Sequence, residues 1–370
     1  MNILIFLIIL LVLVIVHEFG HFFTAKRFGI RVDEFGFGFP PKLFGVKKGE
    51  TEYTFNLLPL GGFVKIFGES PDEESTNGPD ANRSFVNKPK WKQAIVLFAG
   101  VFANFLLAWL LFSFGLMSGL PTSVNNKLPS YALSDIQLTI ISVAPKSPAE
   151  KAGLKSGDKI TYLSSGEDIL AEVNPGDVNP DSVKAFVLSH KNKEIEIGYF
   201  RGRPSGMPAV KLTPVENIDG QPAIGIAMDE IGIAKLPVFT AFVEGIGLTL
   251  NVTKGTVVGL YMLIADGIRG QGSFASVTGP VGMVGIVGDA YKFGFAYLVS
   301  FTALISVNLA IINLIPFPAL DGGRLFFLLI EKIKGSRITP KVANTANIIG
   351  FGILILLMLV VTYHDVVKLF

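Results

Sequence analysis

The sequence has no cysteine among its 370 residues, which excludes a disulfide framework, a cysteine-bound zinc and a thiol nucleophile. Charge is scarce as well: 17% of the residues are Asp, Glu, Lys or Arg, against roughly 25% in soluble domains. The two signs nearly cancel, 32 basic against 30 acidic side chains leaving +2. No global field attracts nucleic acid, and no nucleic-acid partner is expected. Histidine occurs four times. What abounds is oil, since half of the residues are apolar and the mean hydropathy is +0.52. A disordered chain and a purely soluble enzyme are excluded on that ground.

Charge-free stretches locate a membrane. Residues 1–16 are uncharged, and their helical pattern runs on through Ala25. Residues 93–126, 293–320 and 342–363 are also uncharged, the first of these with its oily part at 94–120. Each supplies the roughly 20 apolar residues of a spanning helix. The first stretch does not read as a signal peptide, because Lys26 and Arg27 follow the apolar run and no small-residue cleavage site is present. Residues 26–92 hold 11 Lys or Arg and 324–341 hold 5, whereas 121–292 balances 15 against 17 acidic residues. By the positive-inside tendency the first and third connections, 26–92 and 324–341, face the cytoplasm, and the termini and middle region face out. The stretch 236–265 is interrupted by Glu244 and Lys254, and its longest charge-free piece, 255–265, falls short of the roughly 17 residues needed to span. It is expected to lie on the outer membrane surface or to pack on the bundle.

Between the spans the composition changes twice. Phe35, Phe37 and Phe39 alternate with Gly36 and Gly38 before Pro40-Pro41, and 52–55 and 63–67 read as short strands around Pro59-Leu60-Gly61-Gly62. So many Phe and Leu side chains on a small sheet need an apolar surface, and the bilayer is the nearest one. Residues 71–82 are acidic and polar, a solvated linker. Further on, 140–143 reads as a strand, 147–154 as a capped short helix ending in Gly, 181–189 as a helix, and 194–200 and 209–214 as strands. This compact α+β module resembles a PDZ domain of the circularly permuted bacterial kind, chiefly through 147–160.

His17-Glu18-Phe19-Gly20-His21 is an H-E-x-x-H motif. On a helix the two His project from one face and can ligate a single ion, while Glu18 lies about 100° round the axis, placed to act on water without ligating. Two His and a Glu at the end of a spanning helix are costly in lipid and mark function. Zinc with two His needs a third protein ligand and an open fourth position. His190 and His364 lie on the far side by this topology; Asp321 ends the third uncharged stretch at the depth of the histidines. Pro316, Pro318, Gly322 and Gly323 around it unwind the helix inside the bilayer, which demands a compensating partner such as a metal.

Together with Asn313-Leu314-Ile315-Pro316-Phe317-Pro318-Ala319-Leu320-Asp321-Gly322, the H-E-x-x-H motif resembles the site-2 protease family of intramembrane zinc metalloproteases, in its RseP-like bacterial branch. The resemblance covers nearly the whole chain. It implies zinc as cofactor, His17, His21 and Asp321 as its ligands, Glu18 as general base, and Asn313 as a contact to the scissile peptide or its oxyanion. It also implies that 35–68 is a membrane-re-entrant β region presenting substrate as an added strand, which puts Tyr53, Phe55 and Phe63 on the presenting hairpin. Gly100-Val101-Phe102-Ala103-Asn104 keeps the Gly and Asn of the family's Gly-Pro-x-x-Asn pattern but not its Pro, so Asn104 stands between substrate handling and helix packing. Studied members of the branch carry two tandem PDZ modules; one is found here.

The expected fold is thus a polytopic α-helical membrane protein with four transmembrane helices, a membrane-associated β-hairpin region and one inserted α+β PDZ-like domain. Its parts are a first span (1–26), the cytoplasmic β region and polar linker (27–92), a second span (93–120) and the outer module (121–235). A membrane-surface amphipathic region (236–292), a third span (293–323), a cytoplasmic loop (324–341), a fourth span (342–364) and a tail (365–370) follow. The expected activity is zinc-dependent cleavage of a transmembrane helix of a membrane-protein substrate in the bacterial cytoplasmic membrane, with the site near the cytoplasmic side. Anti-sigma factors and remnant signal peptides are the family's substrates. The outer module is expected to admit substrates already trimmed outside, meeting their new C-terminus. A metal transporter or metallochaperone is the alternative, but transport calls for several weak sites along a path, and here one three-ligand cluster stands beside an acid/base Glu. A non-catalytic adaptor using only the PDZ-like module leaves the motif unexplained.

Overall fold

The computed structural model describes residues 1–124, 133–172, 176–201, 208–216, 220–270 and 278–367. In chain order the helices are α1 (Asn2–Arg27), α2 (Glu73–Asn77), α3 (Lys90–Ser118), α4 (Pro148–Lys151), α5 (Pro180–Ser189), α6 (Val238–Ile268), α7 (Pro280–Phe293), α8 (Phe295–Leu314), α9 (Asp321–Lys334) and α10 (Pro340–Val367). The strands are β1 (Val32–Lys48), β2 (Thr51–Ile66), β3 (Leu120–Ser123), β4 (Leu133–Val143), β5 (Lys159–Ser165), β6 (Asp168–Ala171), β7 (Ile195–Phe200), β8 (Ala209–Leu212), β9 (Val215–Glu216), β10 (Pro222–Ala223) and β11 (Ile226–Ala234). They fall into two compact units, one of Met1–Phe112, Gly245–Tyr291 and Phe301–Phe370, the other of Ser113–Glu244 and Lys292–Ser300.

Among the described residues five helices are long and apolar enough to cross a membrane: α1, α3, α6, α8 and α10. Four coincide with the charge-free stretches. The fifth, α6, is a 31-residue helix that counting only charge-free residues cuts into pieces; of the two placements expected for this stretch, packing on the bundle is the one observed. Thr256 Oγ1 donates to Asn308 Oδ1 at 2.8 Å in the body of α8, so α6 packs on the bundle. Asp365 accepts from the N–H groups of Gly279 (3.1 Å) and Gly282 (2.8 Å) and caps the start of α7. The expected tail therefore begins inside α10, which runs to Val367; residues 368–370 lie outside the described residues.

The β region is longer and more folded than two short strands. Residues 42–48 pair antiparallel with 51–56, and 32–37 pair antiparallel with 62–66. Between them, Glu34, Phe35, Gly36 and Phe37 also face Glu52, Tyr53, Thr54 and Phe55 in the same direction. The result is four segments side by side in the order 42–48, 51–58, 32–39, 62–66. Phe55 stacks between Phe37 (4.7 Å) and Phe44 (4.8 Å), and Phe22 of α1 meets Phe35 edge-on at 5.3 Å, docking the sheet on the helix. The linker after it is not featureless. Asp72 caps α2 through Ser75 N–H at 2.7 Å, and Arg31 holds Asp80 at 2.7 Å.

In the second unit β3, β11, β4, β5, β7 and β8 form one sheet in that order, with β6 paired to β5. Leu138, Ile140, Leu163, Ile195 and Ile197 fill its core, and α5 packs on it through Val183 and Val187. Ser147 Oγ caps α4 by accepting from Glu150 N–H at 3.2 Å, as the sequence suggests. Asp158, fully buried, is held by Arg201 through two contacts of 2.6 Å.

Candidate metal centre

From Ile3 to Val16 α1 is built of Ile, Leu and Val with one Phe, and then carries His17 and His21 one turn apart on its buried face. Asp321 approaches from 304 residues away: its Oδ2 lies 3.0 Å from His17 Nε2 and 3.2 Å from His21 Nε2. The two Nε2 atoms are 3.2 Å apart. Ligand atoms on a tetrahedral zinc, each ~2.05 Å from the ion, are about 3.3 Å from one another. The three donors thus already stand at zinc spacing, with the chemistry zinc prefers.

The break that delivers Asp321 has a clear cause. Pro316 and Pro318 cannot continue α8, which ends at Leu314, and Asp321 opens α9. A Cβ on Gly322 would lie 2.3 Å from the Leu314 and Ile315 carbonyl oxygens, and one on Gly323 2.1 Å from that of Phe317. Only glycine lets α9 start so close beneath the loop. α10 closes the loop from behind, Asn347 Oδ1 accepting from Ala319 N–H at 3.1 Å and Gly350 leaving room for the Pro318 carbonyl.

α3 supplies the second layer. His21 Nδ1 faces the Val96 carbonyl at 2.8 Å, and the Asn104 amide lies 3.3 Å from His17 Nδ1. Between them Gly100 makes the approach possible, since a Cβ there would sit 2.3 Å from His21 Nε2 and 2.9 Å from His17 Cε1. Gly20 does the same from α1, where a Cβ would strike the Ala99 carbonyl at 2.3 Å. The roles of Val96, Gly100 and Gly20 were not read from the sequence, although the spacing of four among 96, 100 and 104 was a visible signal.

Glu18 stands near His21 and Asp321 and also borders the β region. A Cβ on Gly62 would lie 3.9 Å from the Glu18 Cγ, so the 62–66 segment runs alongside this side chain. Arg324 on α9 pairs with Glu69 just beyond this segment. Asn313, one residue before the end of α8, is half-buried. Asn104 is fully buried behind His17, so the structure does not present it to a substrate. The presenting hairpin also needs correction. Tyr53 and Phe55 lie in a segment paired on both sides, which leaves no edge to add to, while Phe63 lies in 62–66, paired on one side only within the sheet.

Two histidines on a helix fit to cross a membrane, met at zinc spacing by a distant carboxylate and with a glutamate next to the first in sequence, define the class of a membrane zinc metalloprotease. The profile of Peptidase family M50 matches residues 5–357, and the chain belongs to that family. It is 30% identical to the zinc metalloprotease RasP of Oceanobacillus iheyensis over 449 aligned positions, covering 99% of this chain and 98% of the relative. The zinc metalloprotease RasP of Shouchella clausii is 29% identical, again over 99% of this chain and 98% of the relative. So is the regulator of sigma-W protease RasP of Bacillus subtilis, with the same coverage. Alignments longer than the 370 residues here mean that these relatives carry segments without a counterpart in this chain. The protein is accordingly a multi-pass bacterial membrane protein and a zinc metalloprotease.

Proposed function

We propose that the protein hydrolyses peptide bonds within transmembrane segments of single-span membrane proteins, with His17, His21 and Asp321 as zinc ligands. The carrying observation is the convergence of these three donors, 3.0–3.2 Å apart, two of them on α1, a helix fit to cross a membrane, and the third just after the break that ends α8. Zinc bound there supplies the Lewis acidity that activates water and polarises a carbonyl. The Glu18 carboxylate takes the proton from the attacking water and returns it to the leaving nitrogen. The Asn313 side-chain N–H donates to the oxygen where negative charge develops. A substrate helix hides its carbonyls in its own hydrogen bonds, so the scissile stretch must unwind, and the 62–66 edge beside Glu18 receives it as a strand.

The basic connections 26–92 and 324–341 support a cytoplasmic placement for the site and four complete crossings, by α1, α3, α8 and α10. α6 is read as lateral to them. The helix after it, α7, meets Asn2 at the start of α1 through Gly288 and Asp365 near the end of α10 through Gly279, so the chain is back at the membrane face where α8 begins. Residues 121–235 are read as an extracytoplasmic PDZ-like module. Its groove between α5 and β11 is lined by Val183, Val187, Ile224, Ile226 and Met228. Among the described residues β3 pairs β11 only over 231–234, so the preceding residues of β11 have no described strand on that side, which supports strand-wise capture of a trimmed substrate C-terminus. The name of the Bacillus subtilis relative, a regulator of sigma-W, supports anti-sigma factors as one substrate class, beside remnant signal peptides.

The test is cleavage of a panel of single-span peptides by purified protein and its Glu18→Gln variant. The native protein should cleave, stop with chelator and recover with zinc. The variant should hold one zinc per chain and cut nothing. Undiminished cleavage by Glu18→Gln, or a native protein that binds no zinc, overturns the reading.

A further inference from the structure

One buried polar atom beside the metal centre is unaccounted for. Asn104 is fully buried on α3, and its Oδ1 has no hydrogen-bond partner among the described residues. Its Nδ2 is turned toward His17 Nδ1 at 3.3 Å. An orphaned carbonyl oxygen in a dry interior is costly. The backbone oxygen of Asn104 accepts from Ser306 Oγ of α8 at 2.8 Å.

The chemistry of a histidine ligand says what the orphan is for. A ring that binds a metal through Nε2 carries its proton on Nδ1, and that proton needs an acceptor, which fixes the tautomer and the ring plane. His21 has its acceptor, the Val96 carbonyl at 2.8 Å. Among the described residues His17 Nδ1 has only the Asn104 amide. With Nδ2 forward the amide suits the other tautomer, in which Nδ1 is bare and Nε2–H donates to Asp321. Turning the amide by half a rotation about its last side-chain bond exchanges two groups of nearly equal size. It brings the orphaned Oδ1 to His17 Nδ1–H and leaves Nε2 free for the ion. The ridge 96, 100, 104 of α3 then serves both imidazoles: a carbonyl for one, an amide oxygen for the other, and a glycine gap between them.

We infer that Asn104 is a positioning residue for His17, its Oδ1 accepting from His17 Nδ1–H in the zinc-loaded enzyme, and that it does not handle substrate. This rests on the zinc reading proposed above.

The experiment compares Asn104→Asp, which keeps an acceptor of the same shape, with Asn104→Leu, which keeps the size alone. Zinc affinity is read by chelator competition, and kcat and KM on a single-span peptide. Asn104→Leu should lose 10–100-fold in zinc affinity, the usual cost of removing such a partner, with kcat falling and KM unchanged; Asn104→Asp should restore affinity to within a few-fold. Native affinity in Asn104→Leu, equal losses in the two variants, or a change confined to KM overturns the inference. A measurement on the native protein guards against variants that fail to fold. In the cobalt-loaded enzyme both ligand imidazoles should show a ring N–H proton slow to exchange with solvent, and rapid exchange at His17 overturns the inference as well. If the native protein holds no metal at all, the zinc reading itself fails, and the two failures are told apart.

Discussion

Gly100→Ala should disable the metal centre while leaving the chain folded. The added Cβ would lie 2.3 Å from His21 Nε2, 2.6 Å from its Cε1 and 2.9 Å from His17 Cε1. Ordinary contact begins near 3.4 Å, so the His21 ring must retreat by about 1 Å or α3 must move away by as much. Neither leaves the site intact. The first moves a ligand atom well beyond the roughly 0.2 Å that a metal site tolerates, and the second pulls the Val96 carbonyl off His21 Nδ1. Misplacement of that size costs on the order of 100-fold in turnover, whereas overpacking costs about 1–3 kcal/mol in stability. Zinc content, peptide cleavage and thermal unfolding in detergent should be followed together. The expected outcome is a folded protein with zinc affinity and kcat reduced by about 100-fold. Gly247→Ala on α6, where a Cβ meets nothing within 4 Å, is the control and should match the native protein. A Gly100→Ala variant with native zinc affinity and cleavage would refute the packing argument.

Further outcomes follow from the same geometry. If the outer module gates access, deleting residues 140–214 should preserve or broaden cleavage of untrimmed substrates; loss of all activity in a folded deletion variant counts against gating. Burial opposes the charge of Glu50, but hydrogen bonds from Lys26 and Arg83 prevail and hold its carboxyl below the ordinary value of 4.5. Its contribution to stability is therefore present above about pH 4.5 and lost as pH falls through the lower folded value, so Glu50→Gln should flatten the acid limb of the melting-temperature profile. Asp365→Ala removes the cap of α7 and should destabilise by about 1 kcal/mol, with faster amide exchange at Gly279 and Gly282; unchanged exchange there would contradict the capping role.

The site was legible because its chemistry is local. His17, Glu18 and His21 share one helical turn, and Pro316, Pro318, Gly322 and Gly323 announce a broken helix around Asp321 without reference to anything distant. The strands and short helices of the second unit were legible for the same reason, as with Ser147 capping the turn that follows it. What depended on partners far along the chain was not. The same-direction pairing of Phe35 with Tyr53 and of Phe37 with Phe55 cannot be read from alternation, which fixes the face of a strand and not its neighbour. Counting charge-free residues hid α6, because Lys254 says nothing of whether Thr256 will find Asn308. Gly100 looked like a relic of a family pattern until His17 and His21 stood against it.

The donor set is divided between residue 17 and residue 321, and the loop that aims the second half is braced by Asn347 and Gly350 of α10. During synthesis the histidines emerge from the ribosome hundreds of residues before the carboxylate, and the brace later still. A nascent or truncated chain therefore carries no assembled centre. Assembly of the donor set thus waits on α10, whose Asn347 and Gly350 brace the loop that aims Asp321.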